Sequence, residues 1–319
     1  MIHILQKIKE KKRSKALQAI VQYFGIGFIM GASDVVPGVS GGTMAFIFGI
    51  YEKLIDSIKV VSGKALKLVL QGKIKDAFQV IPFSFLIPLV SGLGLAVIML
   101  SSVITYLLAT YPVFLWSFFF GLVVASIVLV SKRVSRWSVK EVGAALLAAA
   151  AAFVIVGAVP TETAATPLAF LVSGAVAICA MILPGVSGSF LLIILGKYEQ
   201  ILTAVHNKDV ITLGIFMIGA VIGLALFSRL LSWMFEHHEN FIISVLTGFM
   251  VGSLRKIWPW KETLSSMIDS HGELVPVVQK NVMPAAFDTN FIVAAGLFIV
   301  ALALVIFIER SSRTKPSTL

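Results

Sequence analysis

Charge is scarce in this sequence, and acid is scarcer than base. Only 13% of the residues are Asp, Glu, Lys or Arg, where a soluble domain carries about 25%. That shortfall excludes an ordinary water-soluble domain. Cysteine is nearly absent. The one copy, Cys179, stands in an apolar segment, so a disulfide framework is excluded as well. Sixteen acids against 26 bases leave a net charge of +10. The bases are scattered at the ends of apolar runs, which argues against nucleic acid and for the positive-inside pattern of membrane proteins. His206, His237 and His238 fall in predicted loops and receive no catalytic role. What the chain has in abundance is apolar sequence, with 58% hydrophobic residues and a mean hydropathy of +0.97.

A bilayer-spanning helix needs roughly 20 apolar residues. Full-length spans are predicted at 83–108, 112–131, 140–158, 210–234, 241–257 and 291–308. Two further apolar segments, about 16–58 and 167–205, are interrupted at their middles. Each reads as a helix–break–helix hairpin, with arms that either both span or form a re-entrant loop. Lys7, Lys9, Lys11, Lys12, Arg13 and Lys15 place the N-terminus inside, and the basic stretch reads as mature protein rather than a signal peptide. Lys132, Arg133, Arg136 and Lys140 mark a second inside loop, and Arg310, Arg313 and Lys315 bring the C-terminus inside. The loops "VPTETAATP" and Lys261–Asp288 suit the outside. Lys64, Lys67, Lys73 and Lys75 suggest a helix lying on the inner surface against anionic lipid, or else a solvated basic loop.

The two interruptions carry one motif. "VVPGVSGGT" covers residues 35–43 and "ILPGVSGSF" covers 182–190. Beyond the shared PGVSG core, Ile47 matches Ile194, Gly49 matches Gly196, Tyr51 matches Tyr198 and Glu52 matches Glu199. "SGLGLAVIMLSS" (91–102) also resembles "IGAVIGLALFSR" (218–229), and "FGLVVAS" (120–126) resembles "TGFMVGS" (247–253). The first copy begins inside and the second outside, with span 140–158 supplying the inversion. The expected architecture is therefore an all-α polytopic membrane protein of two inverted-topology repeats, about 16–131 and 167–257, plus a final span at 291–308.

Irregular backbone at membrane depth is tolerated only when buried in protein or facing a watery cavity. A turn that frees N–H groups at a helix start favours an anion, and glycine lets the backbone approach it closely. The candidate donors are Ser40, Gly41, Gly42 and Thr43 in the first turn and Ser187, Gly188 and Ser189 in the second. A kink for packing is the plainer reading of either turn. Arg229 is an ionisable residue inside an apolar span, where a charge costs about 2.5–3.5 kcal/mol on insertion scales. It either binds a phosphate or pairs with Glu52 or Glu199. Asp34, matched by Met181 in the second copy, is either a coupling-ion or proton site or a cap on the following helix, and the recurring Glu52 and Glu199 are either coupling-ion or proton sites or helix-to-helix pairs. In "SLRKIWPWK", Arg255 and Lys256 beside Trp258 and Trp260 form an interfacial belt, with headgroup docking as the sharper reading. No cofactor or metal is called for.

The turns "DVVPGVSGGT" and "LPGVSGS" and the stretch "GSLRKIWPW" resemble the bacterial undecaprenyl-phosphate (polyprenyl-phosphate) transporter family, over about residues 16–308. The resemblance implies a flippase, not an enzyme. It would return the carrier lipid from the outer to the inner leaflet of the cytoplasmic membrane; a proton or sodium ion as driving ion is suggested only by the acids Asp34, Glu52 and Glu199. Two readings compete. A small-anion channel or exchanger would also aim broken helices at an anion. A lipid-phosphate phosphatase would need a base beside its nucleophile, yet Ser40 and Ser187 are flanked by Val and Gly.

Overall fold

The computed structural model describes residues 2–36, 39–158, 163–268 and 274–313. Pro37 and Gly38 of the first turn and residues 159–162 at the start of the loop before α9 lie outside these residues. The chain is mostly helical. Helix α1 (Ile2–Asp34) leads to a break, the short α2 (Gly41–Ile47) and α3 (Tyr51–Lys59). A π-helical turn (Val60–Ala65), α4 (Leu66–Leu70) and α5 (Ile74–Val80) follow, so the lysine-bearing segment is helical. Then come α6 (Phe83–Thr110), α7 (Pro112–Ser131) and α8 (Val139–Ile155). The second hairpin consists of α9 (Pro167–Ile182), α10 (Gly188–Ile194) and α11 (Tyr198–His206). Helices α12 (Val210–His237) and α13 (Glu239–Ile257), strands β1 (Lys261–Ile268) and β2 (Leu274–Asn281), and α14 (Thr289–Arg313) complete the chain.

Local chemistry sets the helix starts. Ser138 accepts from the Lys140 N–H at the head of α8, and Asp209 from the Thr212 N–H at the head of α12. Thr166 caps α9, with Pro167 at the first helical position, where its missing N–H costs nothing. Helices α6, α7, α12, α13 and α14 are long and apolar enough to cross a membrane, and α10 and α11 form a pair bent by 103°.

Close backbone contact holds the helices in pairs. A Cβ on Gly27 of α1 would stand 2.0 Å from the Leu89 carbonyl oxygen of α6. The same approach recurs between α12 and α9, where a Cβ on Gly219 would be 1.9 Å from the Leu171 oxygen. Helix α7 meets α14 through Gly121, and α13 meets α8 through Gly248 and Gly252. Small residues let backbones touch where lipid offers no hydrophobic driving force. The outward faces stay apolar, with Ile98, Leu226 and Phe307 exposed.

The two ends of the bundle differ. One carries the basic α7–α8 connection. At the other, the segment read from sequence only as a loop folds into an antiparallel hairpin, pairing Lys261 with Asn281 and Ile268 with Leu274. Trp258 packs against Phe120 and Trp260, and Trp260 against Phe291, forming an aromatic cluster beneath the hairpin.

Candidate functional site: two broken helices that meet

The first turn satisfies its own donors. Asp34, the last residue of α1, accepts from the Gly41 N–H at 2.6 Å. Ser40 has the extended backbone of an N-cap, and its hydroxyl accepts from the Gly42 N–H at 3.1 Å. The capping reading of Asp34 thus has a partner in the structure. A helix start that holds a carboxylate and a hydroxyl has little N–H left to offer another anion.

The second turn packs directly on the first. The Ser40 hydroxyl lies 3.4 Å from the Met181 carbonyl and 3.3 Å from that of Leu183. Thr43 accepts from the Gly185 N–H at 3.1 Å, and the Tyr51 hydroxyl donates to the Ile182 carbonyl at 3.1 Å. Ser40, Thr43 and Tyr51 are buried. The carbonyls freed where α9 breaks are therefore answered by side chains of the first hairpin. That resolves the problem of irregular backbone in an apolar interior.

The second turn leaves its own first N–H groups without a side-chain cap. Ser187 makes no capping bond and instead lies 2.9 Å from the Ser189 hydroxyl. A Cβ on Gly41 would be 2.6 Å from Asp34 Oδ2, and one on Gly188 would be 2.5 Å from Met181 Cγ. The two side chains occupy corresponding places, but only the aspartate can accept a hydrogen bond. Gly185 has φ +86°, a conformation open to glycine.

The other candidates are dispersed. Arg229 is exposed on α12, with its guanidinium facing Gly63 of the π-helical turn, and no ion pair joins it to Glu52 or Glu199. Glu52 lines a cavity of about 180 Å³ with Asp56, Ser232, Glu236 and Glu239. Lys59 closes part of it by bonding Glu236 at 3.0 Å and Ser232 at 2.8 Å. Glu199 is exposed on α11. Arg255 donates to the Phe153 carbonyl at 3.0 Å and lies over the Phe153 ring, so it caps the end of α8. Among the described residues no group of His, Cys, Asp and Glu is placed to hold a metal ion.

Sequence reasoning missed Lys197. It is fully buried and donates to the Thr163 and Ala164 carbonyls and to Gln200, pinning the loop before α9 to the start of α11. Its match in the first copy is Ile50, so the repeat gave no signal.

The fold and the site define a multi-pass α-helical membrane protein whose interior is built from two broken helices in contact. The chain belongs to the undecaprenyl phosphate translocase-like family, whose match spans residues 30–275. It is 41% identical over 290 residues to the polyprenyl-phosphate transporter of Vibrio cholerae serotype O1, covering 89% of this chain and 94% of the relative. It is 29% identical over 251 residues to the polyprenyl-phosphate transporter of Staphylococcus aureus, covering 73% and 84% respectively. No solved structure matches the chain.

Proposed function

We propose that this protein carries undecaprenyl phosphate from the outer to the inner leaflet of the bacterial cytoplasmic membrane, so that the carrier lipid is reused for envelope polymers. Family membership supports the substrate class. The observation that carries the mechanism is the contact of the two turns through Ser40, Thr43 and Tyr51 in an otherwise apolar interior. It gives a polar point between the leaflets against which a phosphate moves while its tail stays in lipid.

In this reading the two halves are inverted-topology repeats. Support comes from the matched pairing of α1 with α6 and α9 with α12, and from left-handed glycines at matched positions, Gly49 (φ +69°) and Gly196 (φ +63°). The hairpins are re-entrant. A seven-residue arm such as α2 or α10 extends about 10 Å, far short of the roughly 30 Å hydrocarbon core. The basic end, with Lys132, Arg133 and Arg136, faces the cytoplasm together with both termini, and the β-hairpin faces outward. Ser187, Gly188 and Ser189 contact the phosphate. Ser40, Gly41, Gly42 and Thr43 form the surface against which that turn is held. Arg229, on the cytoplasmic half of α12, meets the phosphate on release. A proton or sodium gradient drives the cycle.

The test uses purified protein in liposomes with undecaprenyl phosphate placed in one leaflet. Protein-dependent appearance in the other leaflet, without inorganic phosphate release and slowed by Arg229→Ala, is the expected result. Released phosphate would make the protein a phosphatase. Chloride flux without lipid crossing would make it an anion channel.

A further inference from the structure

Two side-chain polar atoms among the described residues are buried without a hydrogen-bond partner, the Ser117 hydroxyl and the Lys261 ammonium. Buried polar groups are nearly always paired, and a buried charge more so. Lys261 opens β1, and its Nζ lies 3.8 Å above the Trp116 ring of α7. Lys256, in the last turn of α13, has its Nζ 4.1 Å from the centre of the Phe190 ring. Phe190 belongs to α10, directly after Ser189. The two lysines repel each other, and burial together with the Lys256 charge pushes the Lys261 ammonium down to about 7. No acid forms an ion pair with either lysine among the described residues. Aromatic faces attract each cation, but they supply no countercharge.

A like-charge pair set in aromatic rings, with no acid paired to it among the described residues, is unfavourable for folding alone. It makes sense if an anion completes it. Arg255, the neighbouring cation, is turned away onto the end of α8, which leaves the Lys256 ammonium on Phe190 and the Lys261 ammonium on Trp116. We propose that Lys256 and Lys261 form the receiving site for a phosphate monoester at the β-hairpin end, handing it to Ser187 and Ser189 of the second turn. The inference rests on the transport reading, and it names the side chains that capture the headgroup. A dianion between the two lysines cancels their repulsion and satisfies the orphan donor. Trp116 and Phe190 provide an apolar wall for the first isoprene units.

The experiment uses the full chain in detergent micelles, with farnesyl phosphate as a short probe, farnesol as its uncharged counterpart and inorganic phosphate as competitor. Lys256→Gln and Lys261→Gln should each weaken farnesyl phosphate binding by about tenfold or more, as expected for a charge-assisted contact. The thermal midpoint should hold or rise, because an unpaired buried charge is removed. Lys280→Gln, on exposed β2, should bind as the unmodified chain does. Competition by inorganic phosphate at the same lysines assigns the site to the free anion. Absence of competition assigns it to the lipid-borne headgroup. Equal binding of farnesol, or unchanged binding in both lysine variants, overturns the site. Loss of folding in both the Gln and the Met forms also overturns it, since the charges would then serve the fold. If the unmodified protein binds the probe but moves no lipid in liposomes, the transport reading fails and the site stands. If the lysine variants move lipid at the full rate, the site fails and the transport reading stands.

Discussion

The two turns share five consecutive residues, Pro-Gly-Val-Ser-Gly, and the described residues around them differ in almost every contact. In the first, Asp34 and Ser40 take the leading N–H groups, Tyr51 is buried, and the whole of Gly41–Phe46 is packed. In the second, Met181 replaces the aspartate, Ser187 caps nothing, and Ser189 and Tyr198 are exposed. One turn is finished within the protein and the other is not. The two copies of the motif are used differently: the first braces the broken carbonyls of the second, and Phe190, directly after the second, lies against Lys256, which forms no ion pair among the described residues.

The largest expected break of this contrast is at Gly185. A valine there would need a left-handed backbone, and its Cβ would stand 2.7 Å from the Ser253 hydroxyl and 3.1 Å from Met250 Cα. Strain and overpacking together cost roughly 2–5 kcal/mol. The variant should lose most folded protein, read as yield and thermal midpoint in detergent.

A smaller effect separates the caps. Asp34→Ala and Ser40→Ala should each cost about 0.5–2 kcal/mol, the range for a lost N-cap, while Asp34→Asn, which keeps an acceptor, recovers most of it. Ser187→Ala should stay within about 0.5 kcal/mol yet slow lipid crossing. Equal destabilisation by Ser40→Ala and Ser187→Ala would erase the distinction between the turns.

The smallest effect is a pH dependence at the β-hairpin end. Lys261 is charged below about 7 and loses its charge as pH rises through that value. A phosphate monoester, with a second pKa of about 6, is already mostly dianionic there. Lys256 is the charged group facing Lys261. The Glu262 and Lys280 positions pair across the hairpin, and both side chains are exposed. Headgroup binding should therefore weaken as pH passes upward through about 7, and Lys261→Gln should flatten that slope in a titration of farnesyl phosphate affinity.

Much of the bundle was legible because length and apolarity determine a spanning helix. The stretches 112–131 and 241–257 reappear as α7 and α13 almost residue for residue. The 261–288 segment was not legible as strands, since an eight-residue ladder outside the apolar runs leaves only a weak pattern. Arg229 illustrates the limit for side chains. Its place in an apolar run suggested a phosphate or a pair with Glu52 or Glu199, and only the structure shows its guanidinium facing Gly63 instead of either acid.

By itself, the sequence determined which segments are apolar, where Pro and Gly interrupt them, and which end is basic. These are properties of composition along one chain, and the bilayer acts on them segment by segment. Only the tertiary structure decided that the two interruptions meet, that Asp34 is used inside the first, and that Lys256 lies against Phe190, directly after the second, with the Lys261 ammonium over Trp116. The contacts between the two interruptions join residues more than a hundred positions apart, as Thr43 and Gly185 are. They depend on which helix backbones come close enough to touch, and glycine-lined packing settles that three-dimensionally.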